Sequence, residues 1–313
     1  MKRITYQLTR CAIASLTLVG LAISARAAVH TVDCDAGGKI APVLANARAG
    51  DTVAVSGLCK ESVLFTPAMS GITLDGQGKA TLQGPPHDVL PTKASDFTVF
   101  ILARDVRITG FTIIGGSHAI HLSGPATVVI DKNVIRQSGG AIHLDKGSIG
   151  TIFDNIIEDN RGYGINLIEN SYARIGFRIP TLPKSQPNVI RNNDGPGVIV
   201  GRWSSAWWVV GNQITNNKGH GVIVDRQSQA DVQANEISGN GGDGIRVSHG
   251  SGVNFDSEGS DMVIKEPNRT KTANAGAGVR CEVGGYVSGS LGSLKGKTGS
   301  RETAKGCVDN TAL

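Results

Sequence analysis

An asparagine keeps returning to the same phrase along the middle of this chain. It stands in "DKNVI", "FDNII", "QPNVI", "GNQI" and "ANEI", as Asn133, Asn155, Asn188, Asn212 and Asn235, at spacings of 22, 33, 24 and 23 residues. A second row, Asn160, Asn193, Asn217 and Asn240, keeps the same beat at 33, 24 and 23. A glycine-plus-apolar phrase travels with both: "HAIHL", "GAIHL", "YGINL", "PGVIV", "HGVIV", "DGIRV". The one long spacing is a unit with about ten extra residues, Phe177–Gln186. Units of this length cannot bury an apolar face alone and do so by stacking on one another, which is a solenoid.

The unit is not a leucine-rich repeat, since it has neither the L-x-x-L-x-L pattern nor a helical return. It is Ile/Val-rich, with two short alternating runs and Gly or Asn at the corners. Alternation sends successive side chains to opposite faces, so Ile120, Leu122, Ile142, Leu144, Val222 and Val224 are expected inside. A buried Asn at the same place in each coil can bond the backbone of its neighbour and so satisfy polar groups that are expensive to bury bare. The expected product is a rod of short parallel strands stacked at about 4.8 Å per coil. The pattern resembles the right-handed parallel β-helix repeat of the pectate-lyase-like superfamily, over about Glu61–Phe255. The resemblance implies an all-β fold. That fold hosts lyases, hydrolases, epimerases and inert stalks, so it does not by itself name an activity.

The flanks fit a capped stack. Lys2, Arg3 and Arg10 precede an apolar run from Cys11 to Ile23, and Ala25-x-Ala27 offers a cleavage site, so residues 1–27 read as a secretory signal peptide. Residues 28–60 are expected to form an N-terminal cap, with Ile40, Val43, Leu44 and Ala47 on one face of a short helix. The β-helix proper is expected over 61–256, and a Gly/Ser/Lys-rich capping segment over 257–313. The four cysteines after the leader allow three pairings. Nearness in sequence favours Cys34–Cys59 and Cys281–Cys307, one near each end. The chain carries 31 basic and 26 acidic residues, but Lys2, Arg3, Arg10 and Arg26 lie in the leader, which has no acid. The mature chain is therefore close to neutral, which argues against nucleic acid as a partner. No later apolar run is long enough to span a bilayer. A periplasmic or extracellular location is expected.

Function must lie in what faces out. Between the inward residues, the outward row reads His121, His143, Asn166, Ile199, Ile223, Arg246. Its first half has Asp145, Lys146 and Glu169 beside it, and its second half Arg202, Asp225 and Arg226. Such a face could hold an acidic sugar chain. Elimination or epimerisation beside a uronate carboxylate needs a base and a cation that neutralises the carboxylate. His143 or Lys146, with Asp145 beside them, are the candidate base groups. His121, Glu169, Asp225 and the arginines Arg202, Arg226 and Arg246 are candidate binders, the arginines through bidentate contacts. The competing reading is a solvated face of weak ion pairs on a structural or cell-surface solenoid.

Two motif sets narrow the choice. The β-helix galacturonan hydrolases carry N-T-D, D-D, G-H-G and R-I-K on successive coils. Here "GHG" occurs at Gly219–Gly221 without paired aspartates, so glycoside hydrolysis is not expected. The D-P-H-D signature of alginate epimerases is also absent. Calcium needs several converging oxygens, more than Asp145 and Glu169 supply, though Asp231 and Asp243 could contribute elsewhere; no cofactor is expected, with calcium the one left open. The three tryptophans share one coil, "GRWSSAWWVV". Trp203 is a candidate sugar-stacking surface. Counting back from Asn212, Trp208 is expected outward and Trp207 inward, with a small bulge near Trp203.

Overall fold

The computed structural model describes residues 27–87, 91–177, 186–256 and 266–312. Residues 1–26, nearly all of the expected signal peptide 1–27, and most of the ten-residue insertion lie outside the described residues. Three parallel sheets of twelve, ten and eight strands wrap one another, and each coil contributes one strand to each sheet. One coil runs His118–Leu122 in the ten-stranded sheet, Thr127–Asp131 in the twelve-stranded and Val134–Arg136 in the eight-stranded, before Gly140–Leu144 returns to the first. Neighbours in all three sheets pair in parallel and in register.

The alternation therefore locates two strands per coil and misses the third. The third is three residues long and buries mostly its central Ile: Ile135, Ile157, Ile190 and Ile214. Three residues are too few to display a period of two. Those isoleucines and the six expected core residues are all fully buried. Burial of such side chains contributes roughly 1.5–3 kcal/mol each.

The asparagine rows are hydrogen-bonded ladders. Asn155 Oδ1 accepts from the backbone N–H and side-chain Nδ2 of Asn133, at 3.0 and 3.1 Å. Its own Nδ2 donates to Ile130 O and Phe153 O, at 2.9 and 2.8 Å, and to Asn188 Oδ1 at 2.9 Å. Asn268 and Asn274 continue the two rows beyond those read from the repeat. A third ladder joins Ser171, Ser204, Ser228 and Ser251 at the other corner, the hydroxyls of Ser204, Ser228 and Ser251 each accepting the backbone N–H of the serine one coil before.

The ladder of strands also runs further than the repeat. It begins with Val29–Asp33 on Thr52–Ser56 and continues through Tyr286–Ser290 and Val308–Ala312. The outer coils keep the apolar core, with Val53, Val55, Val279 and Val287 buried, but lose much of the Asn–Ile phrase that marks the middle. The Gly/Ser/Lys-rich segment is correspondingly stranded at Gly299–Thr303. At the N-terminal end the helix is a single turn, Ile40–Leu44, with Ile40 and Leu44 buried. The Glu61 carboxylate accepts the N–H groups of Ile40 and Ala41, at 3.0 and 3.4 Å, in place of a local cap. Disulfides join Cys34 to Cys59 and Cys281 to Cys307.

The tryptophan coil departs from expectation. Register is kept between Ala173 and Ala206 and resumes between Arg174 and Trp208, so Trp207 is the extra residue of a bulge. Trp207 consequently stands in solvent, 53 % exposed, rather than in the core. Trp208 lies half-buried against Phe177, ring centroids 5.6 Å apart, with the Arg174 guanidinium 4.9 Å from its ring. Trp203 is exposed, and its Nε1 donates to Gln227 Oε1 at 2.7 Å.

Candidate functional site

Because coils stack in register, one outward row crosses the ten-stranded sheet. It reads Leu64, Phe100, His121, His143, Asn166, Ile199, Ile223, Arg246, Arg280, Glu302. The six members expected from alternation hold their places. Ile199 and Ile223 divide the row into an imidazole half and an ionic half.

The imidazole half is not an exposed face. His121, His143 and Asp145 are each only 8 % exposed, which corrects the expectation that they stand in solvent. The cause is a cover of side chains that alternation cannot place. Phe97 packs on His121, centroids 4.4 Å apart, and Phe100 meets it edge-on at 5.1 Å. His118 stacks on His143 at 4.4 Å, with ring planes 5° apart. Tyr163 reaches in from the next corner. It can do so because Gly140 has no side chain: a Cβ there would stand 2.6 Å from the Tyr163 ring.

Hydrogen bonds join these groups into one network. His118 Nδ1 and His121 Nδ1 are 3.0 Å apart, and His121 Nε2 lies 3.1 Å from Asp145 Oδ2. His143 Nδ1 meets the Tyr163 hydroxyl at 2.7 Å and Asn166 Nδ2 at 3.3 Å. His143 Nε2 is 3.9 Å from Asp145 Oδ2. Asp145 Oδ1 and Asn166 Oδ1 are buried with no hydrogen-bond partner.

Burial governs the protonation of the cluster. It holds His143 down at about 3, with His121 and the Arg202 charge adding to the effect and Asp145 opposing it. It holds His118 down at about 2, again with the neighbouring imidazoles adding. Burial would raise Asp145, but His121, Ser123 and the nearby imidazoles outweigh it and keep the carboxyl below its ordinary value. Tyr163 is raised by burial. His118 and His143 are therefore neutral imidazoles, set beside the Asp145 carboxylate and the Tyr163 phenol.

The other expected residues lie around this centre rather than in it. Lys146 is exposed at the corner after Asp145, with φ 51°. Arg202 Nη1 lies 3.4 Å from Glu169 Oε1. Arg226 Nε is 3.8 Å from Asp225 on an exposed corner. Arg246 is four strands from His143, about 19 Å along the axis, and binds Glu282 at 2.7 Å.

A second network occupies that ionic half. The Asp243 backbone N–H donates to His220 Nδ1 at 2.8 Å, and the Asp243 carboxylate accepts from Ala277 N–H and Arg280 Nε at 2.8 and 2.9 Å. Against the opposing effect of burial, His220, Ala277 and Arg280 hold Asp243 at about 2. A hollow of about 360 Å³ opens between His220, Asp243, Arg246, Arg280 and Glu282. The "GHG" phrase thus places its histidine in a salt-bridge network.

Sequence reasoning passed over Phe97, His118, Tyr163 and Arg280. Tyr163 carried a signal. It fills the variable slot of the glycine phrase that later holds Pro196, His220 and Asp243, so that corner carries a second row of variable side chains.

Comparison with known proteins bears on the fold. Among solved structures, pectate lyase Pel9A superposes with a TM-score of 0.57 at 10 % identity, over 90 % of this chain and 80 % of its own. The A-module of the Azotobacter vinelandii mannuronan C-5 epimerase AlgE6 gives 0.50 at 17 % identity, over 90 % of this chain and 92 % of its own. No curated protein matches. The family model described as right handed beta helix region matches residues 70–230 and 169–261. The two matches together span residues 70–261, more than half of the chain, and the chain belongs to the right-handed β-helix family.

Proposed function

We propose that this chain is an exported, carbohydrate-active β-helix that binds acidic polysaccharide along the ten-stranded face and exchanges the proton beside a uronate carboxylate. The observation that carries the reading is the buried His143–Tyr163 pair at 2.7 Å, with a carboxylate on one side and the Arg202 charge on the other. In this reading the sugar carboxylate is neutralised by Arg202, and C5 loses its proton to the Tyr163 oxygen as the phenolic proton passes to His143 Nδ1. The incoming uronate is itself an anion and favours protonated His143 more than the empty site does. The carbanion then has two outcomes: the C4 oxygen leaves with a proton from the Tyr163 hydroxyl, which His143 replaces, to give a C4–C5 double bond, or a proton from water on the other face of C5 gives the epimer. The two structural neighbours, a pectate lyase and a mannuronan C-5 epimerase module, support a uronate substrate class. Two disulfides support an oxidising compartment.

The test is a panel of uronate polymers incubated with mature protein in deuterated water. Ultraviolet absorbance reports unsaturated product, and NMR reports deuterium at C5. Either signal, lost in Tyr163→Phe and His143→Gln, supports the reading. Retention on immobilised uronate with neither signal supports binding without turnover. No retention and no signal on any polymer overturns both.

A further inference from the structure

The unused valences of the imidazole cluster converge. We propose that His121, His143 and Asp145 form a binding site for a single divalent transition-metal ion of the zinc type. The Nε2 atoms of both histidines face the same carboxylate oxygen, at 3.1 and 3.9 Å. One ligand atom from each of the three residues lies within 4.8 Å of the others. Ligands bonded at about 2.0–2.1 Å around a tetrahedral zinc stand about 3.3 Å from each other, so sub-ångström to ångström shifts close the site. Two imidazoles and one carboxylate suit zinc or its borderline neighbours, not calcium, which takes six or more oxygens.

Two further features support a site over a plain His–Asp contact. The first is that each Nδ1 is already engaged, His121 with His118 at 3.0 Å and His143 with Tyr163 at 2.7 Å. An outer partner on the far nitrogen fixes the ring and directs the near nitrogen's lone pair at a metal. The second is that Asp145 is buried with its Oδ1 without a hydrogen-bond partner, and a cation at Oδ2 would stabilise the buried carboxylate charge that the missing donor leaves under-compensated. Three protein ligands leave a coordination position for water or an oxygen of a bound molecule. With metal on Nε2 the imidazole proton must sit on Nδ1, so the 2.7 Å bond would run from His143 to the phenol oxygen; the zinc-bound chain could then not take the phenolic proton at Nδ1, and zinc would suppress the proton exchange of the reading above. His118 and Tyr163 are positioning residues in this arrangement. The inference concerns the cluster used in the reading above, but metal binding is measured without any sugar.

The experiment uses tag-free mature protein stripped with chelator and titrated with zinc chloride by calorimetry, with metal counted by elemental analysis. Cobalt(II) is added in parallel, because its visible spectrum reports coordination. One zinc per chain is expected, with intense cobalt bands of a four- or five-coordinate site. His121→Ala and Asp145→Asn should weaken binding by more than about 100-fold, and His118→Ala by about 10–100-fold. Circular dichroism checks the fold of each variant. Should a variant fail to fold, a zinc-dependent rise in the wild-type melting temperature together with the cobalt spectrum decides. Less than stoichiometric zinc, variants that bind as wild type, or a cobalt spectrum of the hydrated ion overturns the proposal. Zinc binding by a chain that shows no proton exchange on any uronate, in chelator included, leaves the site and removes the activity. Proton exchange in chelator by a chain that takes no zinc does the reverse.

Discussion

His143 is a weak proton acceptor in the folded chain and an ordinary one in the unfolded chain. Its value falls from 6.5 to about 3 on folding, and that of His118 to about 2. Between these limits the unfolded chain binds more protons, so the stability is fully present above about 6.5 and is lost as pH falls towards 3. In chelator, the melting temperature should drop between about pH 7 and pH 5, and His143→Gln should flatten that slope. A slope unchanged in the variant would mean that other groups dominate. Gly140→Ala tests the cover: its Cβ would strike the Tyr163 ring, so the phenol must leave His143. Proton exchange on uronates should be lost, with the melting temperature lowered only modestly, by about 1–3 kcal/mol of overpacking. The outward row was legible from alternation because each coil repeats the one before, and His121, His143 and Arg246 fall where the pattern puts them. The lid over them was not legible, because Phe97, His118 and Tyr163 come from corners and strand ends, where a period of two says nothing about direction.

At the scale of a single coil, the strands supply apolar contact and the corners supply polar satisfaction. Removing the amide of Asn155 or Asn212 leaves backbone carbonyls and the neighbouring asparagine unpartnered in a dry interior. Asn155→Ala or Asn212→Ala should each cost about 1–3 kcal/mol per orphaned group, read by denaturant or thermal unfolding. The bulged coil gives a contrast within two adjacent residues. Trp207→Ser should be near neutral for stability, since the side chain is largely in solvent. Trp208→Ala should cost about 1–2 kcal/mol through the Phe177 edge contact and the Arg174 guanidinium. Reversed effects in the same melts would show that the extra residue lies elsewhere. The asparagine ladders were readable in the sequence because the same residue recurs. The serine ladder escaped notice because serine is common at turns for other reasons, and the third sheet escaped because its strands are short.

Across the whole molecule, each coil touches chiefly the coil before it and the coil after it, so stability is close to a sum of neighbouring interfaces. Leaving out residues 1–27, the basic and acidic residues nearly balance, so in the proposed reading an anionic chain would be held by the local arginines Arg202, Arg226, Arg246 and Arg280, not by a general positive field. Glycan retention should therefore fall with Arg202→Ala and Arg226→Ala while the melting temperature stays within about 0.5 kcal/mol of wild type, and retention unchanged in both would remove those residues from the binding face. The cysteine pairs are 25 and 26 residues apart, close to the length of one turn of the stack. Each therefore clips a terminal turn to its inner neighbour. A stack of this kind comes undone as a zipper does, from its free ends, since an end turn has only one partner to lose. Clipping both ends closes the two places where opening is easiest and leaves the interior to be opened only by breaking it on two sides at once. Amide exchange should show that reductant speeds the loss of protection at the two ends, which then open first, while the asparagine-laddered middle is little changed and opens last.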